Sequence, residues 1–228
     1  MGARGGKRRA VVHYAEGMLI GIVMMTTMTL LTVACGANTI KQLSNVNYLM
    51  ILLYFIGFFI QGMSEEFVFR GYFMTTLGAK HHSYIAIAVS SVAFGMAHIS
   101  NPGISPLAML NLILYGVFAA VYMIYFDDIW GVCGIHSLWN FMQGNVYGIS
   151  VSGGAETESV LRTVQKSSNG VLTGGKFGIE GSIFATLVLT AGIAIVLYLQ
   201  CRRENASPAV AEVPVTAETE PAESSLTE

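Results

Sequence analysis

Residues 48–70 read YLMILLYFIGFFIQGMSEEFVFR, and this stretch decides how the rest of the chain has to fold. No charged residue occurs in 48–63, and two carboxylates and a guanidinium then follow at Glu65, Glu66 and Arg70. Each charge at the centre of a bilayer costs roughly 2.5 to 3.5 kcal/mol, so such side chains face a protein interior or a wet cavity. The stretch predicts a membrane-spanning helix whose charged end belongs to a functional site.

Helical spacing separates the roles of the three charged side chains. Glu66 and Arg70 stand four residues apart, so in an α-helix they lie on one face and can form an ion pair. Glu65 is five residues from Arg70, about 140° around the helix, and remains free for chemistry. A solvated ion pair at a helix end is the alternative interpretation when this stretch is taken alone.

The composition favours an all-α, polytopic transmembrane helical bundle with its active site in a membrane cavity. Of 228 residues, 53% are hydrophobic and 11% are charged, and the mean hydropathy is +0.58. A net charge of −2 gives no reason to expect a nucleic acid partner, whereas the lipid bilayer is an expected one. The cysteines Cys35, Cys133 and Cys201 are too far apart in sequence to indicate a metal motif or a disulfide framework.

We expect about six spans. They are predicted at residues 17–37, 48–77, 84–98, 106–126, 129–149 and 178–200. The basic residues assigned to the cytoplasmic side are Arg4, Lys7, Arg8, Arg9, Lys80, Arg202 and Arg203, against Lys41, Arg162, Lys166 and Lys176 outside. By the positive-inside rule, this distribution predicts a multi-pass protein of a bacterial cytoplasmic membrane with both termini in the cytoplasm.

Three parts of the chain follow from this topology. Residues 1–16 form a basic cytoplasmic N-terminus, 17–200 the transmembrane domain, and 201–228 an acidic tail that we expect to be disordered. Residues 32–36 (TVACG) are close to a lipoprotein cleavage box, but the apolar stretch exceeds the roughly 7 to 15 residues of a signal core. We therefore expect this segment to be retained as the first span.

Polar side chains on two further predicted spans complete a set with Glu65. Phe94 and His98 are four residues apart, and so are His136 and Asn140, so each pair presents to one helix face. A carboxylate, two imidazoles and an amide can activate a water and stabilise an oxyanion. The same carboxylate and histidines, Glu65, His98 and His136, could instead hold a zinc ion with an open position for water.

Two other features of the sequence have structural predictions attached. Asn111 is an amide in an otherwise apolar span, and we expect it to bond another helix. Residues 151–177 are rich in Gly, Ser and Thr, and this loop is long enough to cap or gate a site.

The motifs Glu65-Glu66-x-x-x-Arg70, Phe94-x-x-x-His98 and His136-x-x-x-Asn140 resemble a known set in order and spacing. They are similar to the three motifs of the CAAX-prenyl-protease and bacteriocin-processing (CPBP, or Abi) family of intramembrane proteases. The likeness covers residues 63–182, within which 129–141 and 173–182 also resemble the family, the latter its bacterial members.

The resemblance implies an intramembrane endopeptidase that cleaves a peptide or a membrane protein. It implies that Glu65 activates water with His98, and that His136 and Asn140 stabilise the tetrahedral intermediate. Glu66 and Arg70 would support the site or contact the substrate. No cofactor is firmly implied, and zinc remains open.

Two interpretations from other classes also remain. The first is a proton-coupled transporter in which the same carboxylates and histidines form a relay, although the sequence has no internal repeat. The second is a non-catalytic peptide-binding or immunity protein that would keep its activity without Glu65. The sequence leaves the natural substrate and the oligomeric state open.

Overall fold

A computed structural model describes residues 6–206, and the protein is mainly helical over this range. The helices are α1 (Lys7–Ala34), α2 (Tyr48–Glu66), α3 (Thr75–Gly78), α4 (Ser83–Met96), α5 (Pro106–Phe126), α6 (Trp130–Phe141), α7 (Gly170–Thr173) and α8 (Ile183–Ala206). A π-helical segment, Phe67–Met74, joins α2 to α3, and a second one, Met142–Val146, extends α6. The predicted all-α class is confirmed.

Within residues 6–206, four helices are long and apolar enough to cross a membrane. They are α1 (Lys7–Ala34), the continuous helix Tyr48–Gly78, which consists of α2, the π-helical segment and α3, then α5 (Pro106–Phe126) and α8 (Ile183–Ala206). The helices at the third and fifth predicted spans are shorter, at 14 residues for α4 and 12 for α6. The count of about six spans is therefore not confirmed, although each predicted span contains a helix.

The first and last helices extend beyond the predicted spans. α1 begins at Lys7, ten residues before the predicted start at residue 17. Two of these added residues contact the end of α5 and the turn after it: Arg9 donates to the Phe126 carbonyl at 2.9 Å, and His13 contacts Asp128. α8 continues to Ala206, so the first six residues of the predicted disordered tail are helical. The other residues of that tail, and residues 1–5 of the predicted N-terminus, lie outside the described range.

Glycine contacts fix the position of α6, the helix that contains the third motif. A Cβ added to Gly17 of α1 would lie 2.0 Å from the Gly131 carbonyl oxygen, so α1 and α6 approach backbone to backbone. A Cβ at Gly62 of α2 would lie 2.8 Å from the backbone nitrogen of Ser137. Such close approach between small residues is typical of membrane helix pairs, and it holds α6 between α1 and α2.

The two ends of the bundle differ in chemistry. At one end, the basic end, Arg9 and Arg203 donate to the last carbonyls of α5. At the other, the strand end, β1 (Asn38–Gln42) pairs antiparallel with β2 (Leu161–Gln165). The predicted 151–177 loop thus contains a strand that is attached to the connection between α1 and α2.

Candidate active site

The buried centre of the site is the ion pair that the four-residue spacing predicts. The Glu66 and Arg70 side chains are 0% and 1% exposed, and the Arg70 Nη1 lies 3.2 Å from both carboxylate oxygens. The π-helical segment that begins at Phe67 contains Arg70. Such segments occur frequently at functional sites, because the extra residue per turn redirects the following side chains.

Phe94 has a physical role that explains its place in the second motif. The guanidinium carbon of Arg70 lies 4.4 Å from the centroid of the Phe94 ring, a cation–π contact. The same ring packs against the His98 imidazole, with 4.9 Å between centroids. Phe94 therefore connects the buried ion pair to the histidine one turn further along.

Each histidine is oriented by a bond at its Nδ1 atom. His136 Nδ1 is 2.8 Å from Glu66 Oε1, and His98 Nδ1 is 2.8 Å from the Phe94 carbonyl oxygen. Carbonyl and ionised carboxylate oxygens only accept, so both histidines donate from Nδ1. In the neutral form each ring therefore presents an unprotonated Nε2 at the opposite edge.

Both Nε2 atoms face Glu65. Glu65 Oε2 lies 3.9 Å from His98 Nε2 and 3.8 Å from His136 Nε2, beyond the range of a direct hydrogen bond. This oxygen is buried and has no hydrogen-bond partner among residues 6–206. All three residues line a cavity of about 410 Å³.

Sequence reasoning missed Gln61, which joins two of the predicted residues. Its Nε2 donates to Glu65 Oε1, and its Oε1 accepts from Asn140 Nδ2 at 2.8 Å. The available signal was its position, because Gln61 is the only amide in α2 and lies one turn before Glu65. Through it, Asn140 is joined to the carboxylate cluster.

A second missed residue is Glu180, which falls in the 173–182 stretch but had no role assigned. It is 8% exposed and lines the same cavity. Its Oε1 accepts from Trp139 Nε1 at 2.9 Å, and its Oε2 accepts from the backbone N–H and the hydroxyl of Ser152 at 2.8 and 2.9 Å. Glu180 thus attaches the loop at residue 152 to α6.

Asn111 has the structural role that was predicted for it. Its Nδ2 donates to the backbone oxygens of Glu180 and Ser182 at 2.7 and 2.8 Å, and its Oδ1 accepts from Thr186 of α8 at 2.6 Å. The amide therefore joins α5 to α8 and to the turn that presents Glu180.

The metal-ligand geometry is looser than a zinc site requires. Two ligand atoms on one tetrahedral zinc are separated by about 3.4 Å, and the Glu65 to histidine distances are 3.9 and 3.8 Å. Within residues 6–206, no group of three or more His, Cys, Asp or Glu side chains is placed closely enough to hold a metal ion.

The structure thus brings all six predicted site residues, Glu65, Glu66, Arg70, His98, His136 and Asn140, into one connected cluster. The fold and this cluster define an integral membrane protein with a polar site built from α2 and the π-helical segment that follows it, the turn after α4, and α6. Residues 47–142 match the family model described as Rce1-like, type II CAAX prenyl endopeptidase Rce1-like. The match includes all six residues and confirms the family resemblance drawn from the three motifs.

Two further comparisons gave no match. No curated protein and no solved structure matches this chain. The family resemblance therefore rests on residues 47–142, which contain the three motifs.

Proposed function

We propose that this protein is an intramembrane endopeptidase that hydrolyses a peptide bond with a water activated by Glu65. The observation that carries the proposal is the position of Glu65 Oε2, 3.9 and 3.8 Å from the Nε2 atoms of His98 and His136. A water beside this gap can lie about 2.8 Å from the carboxylate and from an imidazole at once. Such a water has a base on one side and the open cavity on the other.

The proposed reaction needs only groups of this chain. Glu65, assisted by the His98 Nε2, takes a proton from the water as its oxygen attacks the scissile carbonyl carbon. His136 in its imidazolium form and Asn140 donate to the oxygen that becomes negative. The proton on Glu65 then passes to the leaving nitrogen as the C–N bond breaks, which leaves a carboxylic acid and an amine.

Glu66 and Arg70 support this chemistry without touching the scissile bond. The Glu66 carboxylate at 2.8 Å from His136 Nδ1 stabilises the imidazolium that the oxyanion requires. Arg70 neutralises the remaining charge of Glu66 inside the bundle. We propose a peptide or membrane-protein substrate that reaches the site in the bilayer; whether it carries a prenyl group is a separate question.

Peptide cleavage by the purified protein tests the proposal. We expect a quenched fluorescent peptide library to yield a peptide that the wild type cleaves, with Glu65→Gln reducing the rate about 1,000-fold and His98→Ala about 100-fold. Glu156→Gln is the matched control, because this exposed carboxylate lies outside the cavity and pairs with Arg162. Cleavage that survives in both site variants would show that the assignment is wrong.

A zinc-dependent form of the same protease is the second candidate. It is favoured by the two Nδ1 bonds, which fix both histidines with their Nε2 lone pairs towards Glu65, as ligand histidines require. Zinc held by Glu65, His98 and His136 would supply a hydroxide at neutral pH. Loss of cleavage with a chelator and recovery with zinc would select this form.

The same variants separate the enzyme from the other classes. A proton-coupled transporter would move a solute in proteoliposomes and leave every peptide of the library intact. A peptide-binding or immunity protein would keep its biological activity in Glu65→Gln. We expect neither, because Glu65 Oε2 is directed at two imidazoles inside a cavity large enough for a peptide segment.

We further propose a bacterial cytoplasmic membrane with the basic end inside. The support is the charge at that end, where Arg9 and Arg203 bond the last turn of α5. Two native cysteines report on it, because Cys35 is exposed near the strand end and Cys201 is exposed near the basic end. In intact cells an impermeant maleimide should label a Cys35-only variant but not a Cys201-only variant, and the reverse result would invert the topology.

A further inference from the structure

Gln61 divides the two oxygens of the Glu65 carboxylate between two tasks. Its Nε2 donates to Oε1, which leaves Oε2 as the oxygen that faces both imidazoles. A carboxylate that lacked this bond could rotate freely about its last torsion, which is broad. The bond therefore fixes the plane of the carboxylate, so that the oxygen not bonded to Gln61 faces the histidines.

The same side chain sets which way the amide of Asn140 faces. An ionised carboxylate only accepts, so Gln61 has to present its NH₂ group to Glu65 and its oxygen to Asn140. Asn140 in turn has to present its NH₂ group, which lies 2.8 Å from Gln61 Oε1. One N–H of Asn140 is used in this bond, and the second remains available to a bound carbonyl oxygen.

The direction of the hydrogen bonds from Asn140 through Gln61 to Glu65 matters for the reaction. A reversed Asn140 amide would present its own carbonyl oxygen to the developing oxyanion, which is repulsive rather than stabilising. In water the two orientations of an amide differ little in energy, but here the charge of Glu65 selects one of them through a single intervening residue. The general base and the oxyanion donor are thus ordered by the same three-residue chain.

We propose that Gln61 is a positioning residue that couples Glu65 to Asn140, so that the carboxylate which activates water also orients the amide which stabilises the oxyanion. The inference rests on the proposed endopeptidase function. Gln61 acts through its two neighbours, and no bond from it to the substrate is required.

The test compares variants of Gln61 with a variant of Gln200, a glutamine that also donates to a glutamate four residues later. Gln61→Met keeps the length of the side chain and removes both hydrogen bonds, while Gln61→Asn keeps the amide but shortens its reach. The control is Gln200→Met, because Gln200 donates to Glu204 at 3.2 Å with the same four-residue spacing at an exposed position of α8. The probe is the quenched peptide that the wild type cleaves best.

We expect Gln61→Met and Gln61→Asn to lower kcat about 10- to 100-fold and to change KM less than about threefold, since the lost interaction acts on the transition state. The control should retain the wild-type rate. Combined with Asn140→Ala, Gln61→Met should lower kcat by a smaller factor than it does in the wild type, because the part of its effect that passes through Asn140 is already lost. A purely structural role would instead give multiplied losses and a lowered unfolding temperature.

The outcomes separate this inference from the proposed function. If the wild type cleaves and Glu65→Gln does not, full activity in Gln61→Met overturns the coupling and leaves the endopeptidase assignment intact. If Gln61→Met fails to fold, Gln61→Asn decides, and wild-type kcat in that variant also overturns the coupling. If Glu65→Gln cleaves as fast as the wild type, the endopeptidase assignment itself fails.

Discussion

Two buried carboxylates organise this molecule in different ways. Glu66 is fully buried, and its close partners are the guanidinium of Arg70 and the imidazole of His136, with the Tyr115 hydroxyl further away at 3.5 Å. Glu180 is almost as buried, but its partners are neutral donors, the Trp139 indole and the N–H and hydroxyl of Ser152. One carboxylate belongs to an ionic cluster, and the other fastens a loop to a helix.

The difference predicts how much stability each region loses when one of its side chains is replaced. Removing one member of a buried ion pair leaves the other charge without compensation, so the loss is large and falls on the whole site. Removing one neutral donor leaves the remaining bonds of Glu180 in place, so the loss is small and comes in steps. A single substitution in the ionic cluster should therefore destabilise the whole cluster, whereas each substitution at the loop attachment should remove only the contribution of one hydrogen bond.

The largest effect is expected for Glu66→Gln. This change leaves the guanidinium of Arg70, 1% exposed, without a counter-charge. We expect the free energy of unfolding to fall by about 3 to 5 kcal/mol. Thermal unfolding of the purified protein in detergent, followed by circular dichroism, measures the loss of stability, and peptide cleavage measures the accompanying loss of activity.

A double variant identifies the cause. In Glu66→Gln combined with Arg70→Met the buried cation is gone, so most of the lost stability should return. Cleavage should stay low, because His136 still lacks the carboxylate at its Nδ1. A Glu66→Gln protein as stable as the wild type would contradict the ionic description of this cluster.

The same contrast shows what the sequence could and could not predict. The pairing of Glu66 with Arg70 follows from helical spacing alone, since both residues lie on one helix segment. Gln61 and Asn140 are separated by 79 residues, and their bond depends on how α2 and α6 pack. No local pattern predicts that contact, although the position of Gln61 one turn before Glu65 was a visible signal.

The strand end shows the same limit. The β1–β2 pairing connects residues more than 100 positions apart, and composition indicated only a loop rich in Gly, Ser and Thr. The length of α6 was also overestimated, since it has 12 residues against the predicted span 129–149, whereas α4 has 14 residues and ends two residues before the predicted end at 98. The apolar pattern continues through the turn after Met96 and through the π-helical segment after Phe141, where the backbone has already left the α-helix.

A smaller effect is expected for Glu180→Gln. The new side chain can offer its oxygen to Ser152, but its NH₂ group then meets the Trp139 N–H, which becomes a buried donor without an acceptor. We expect a loss of about 1 to 3 kcal/mol in the free energy of unfolding. Thermal unfolding measures it, with Glu158→Gln as the control, since Glu158 accepts from the Asn47 N–H at an exposed position.

If Glu180→Gln were destabilised as strongly as Glu66→Gln, the two carboxylates would not differ in kind. Equal losses would indicate an unrecognised charged partner near Glu180. Equal stability of Glu180→Gln and the control would instead indicate that residue 152 is held mainly by other contacts, such as the Asn101 bond to the Ser152 carbonyl at 2.9 Å.

The smallest effect is expected for Ser152→Ala, which removes one of the two bonds to Glu180 Oε2 and keeps the backbone N–H at 2.8 Å. We expect a loss of about 0.5 to 1.5 kcal/mol, measured by thermal unfolding against the wild type. Ser152 has a φ of 46°, in the left-handed region that favours glycine. Ser152→Gly removes the same hydroxyl but relieves this conformation, so it should lie closer to the wild type than Ser152→Ala does. If the glycine variant were the less stable of the two, the relief of backbone strain at residue 152 would be smaller than the stability lost through the extra freedom of glycine in the unfolded chain.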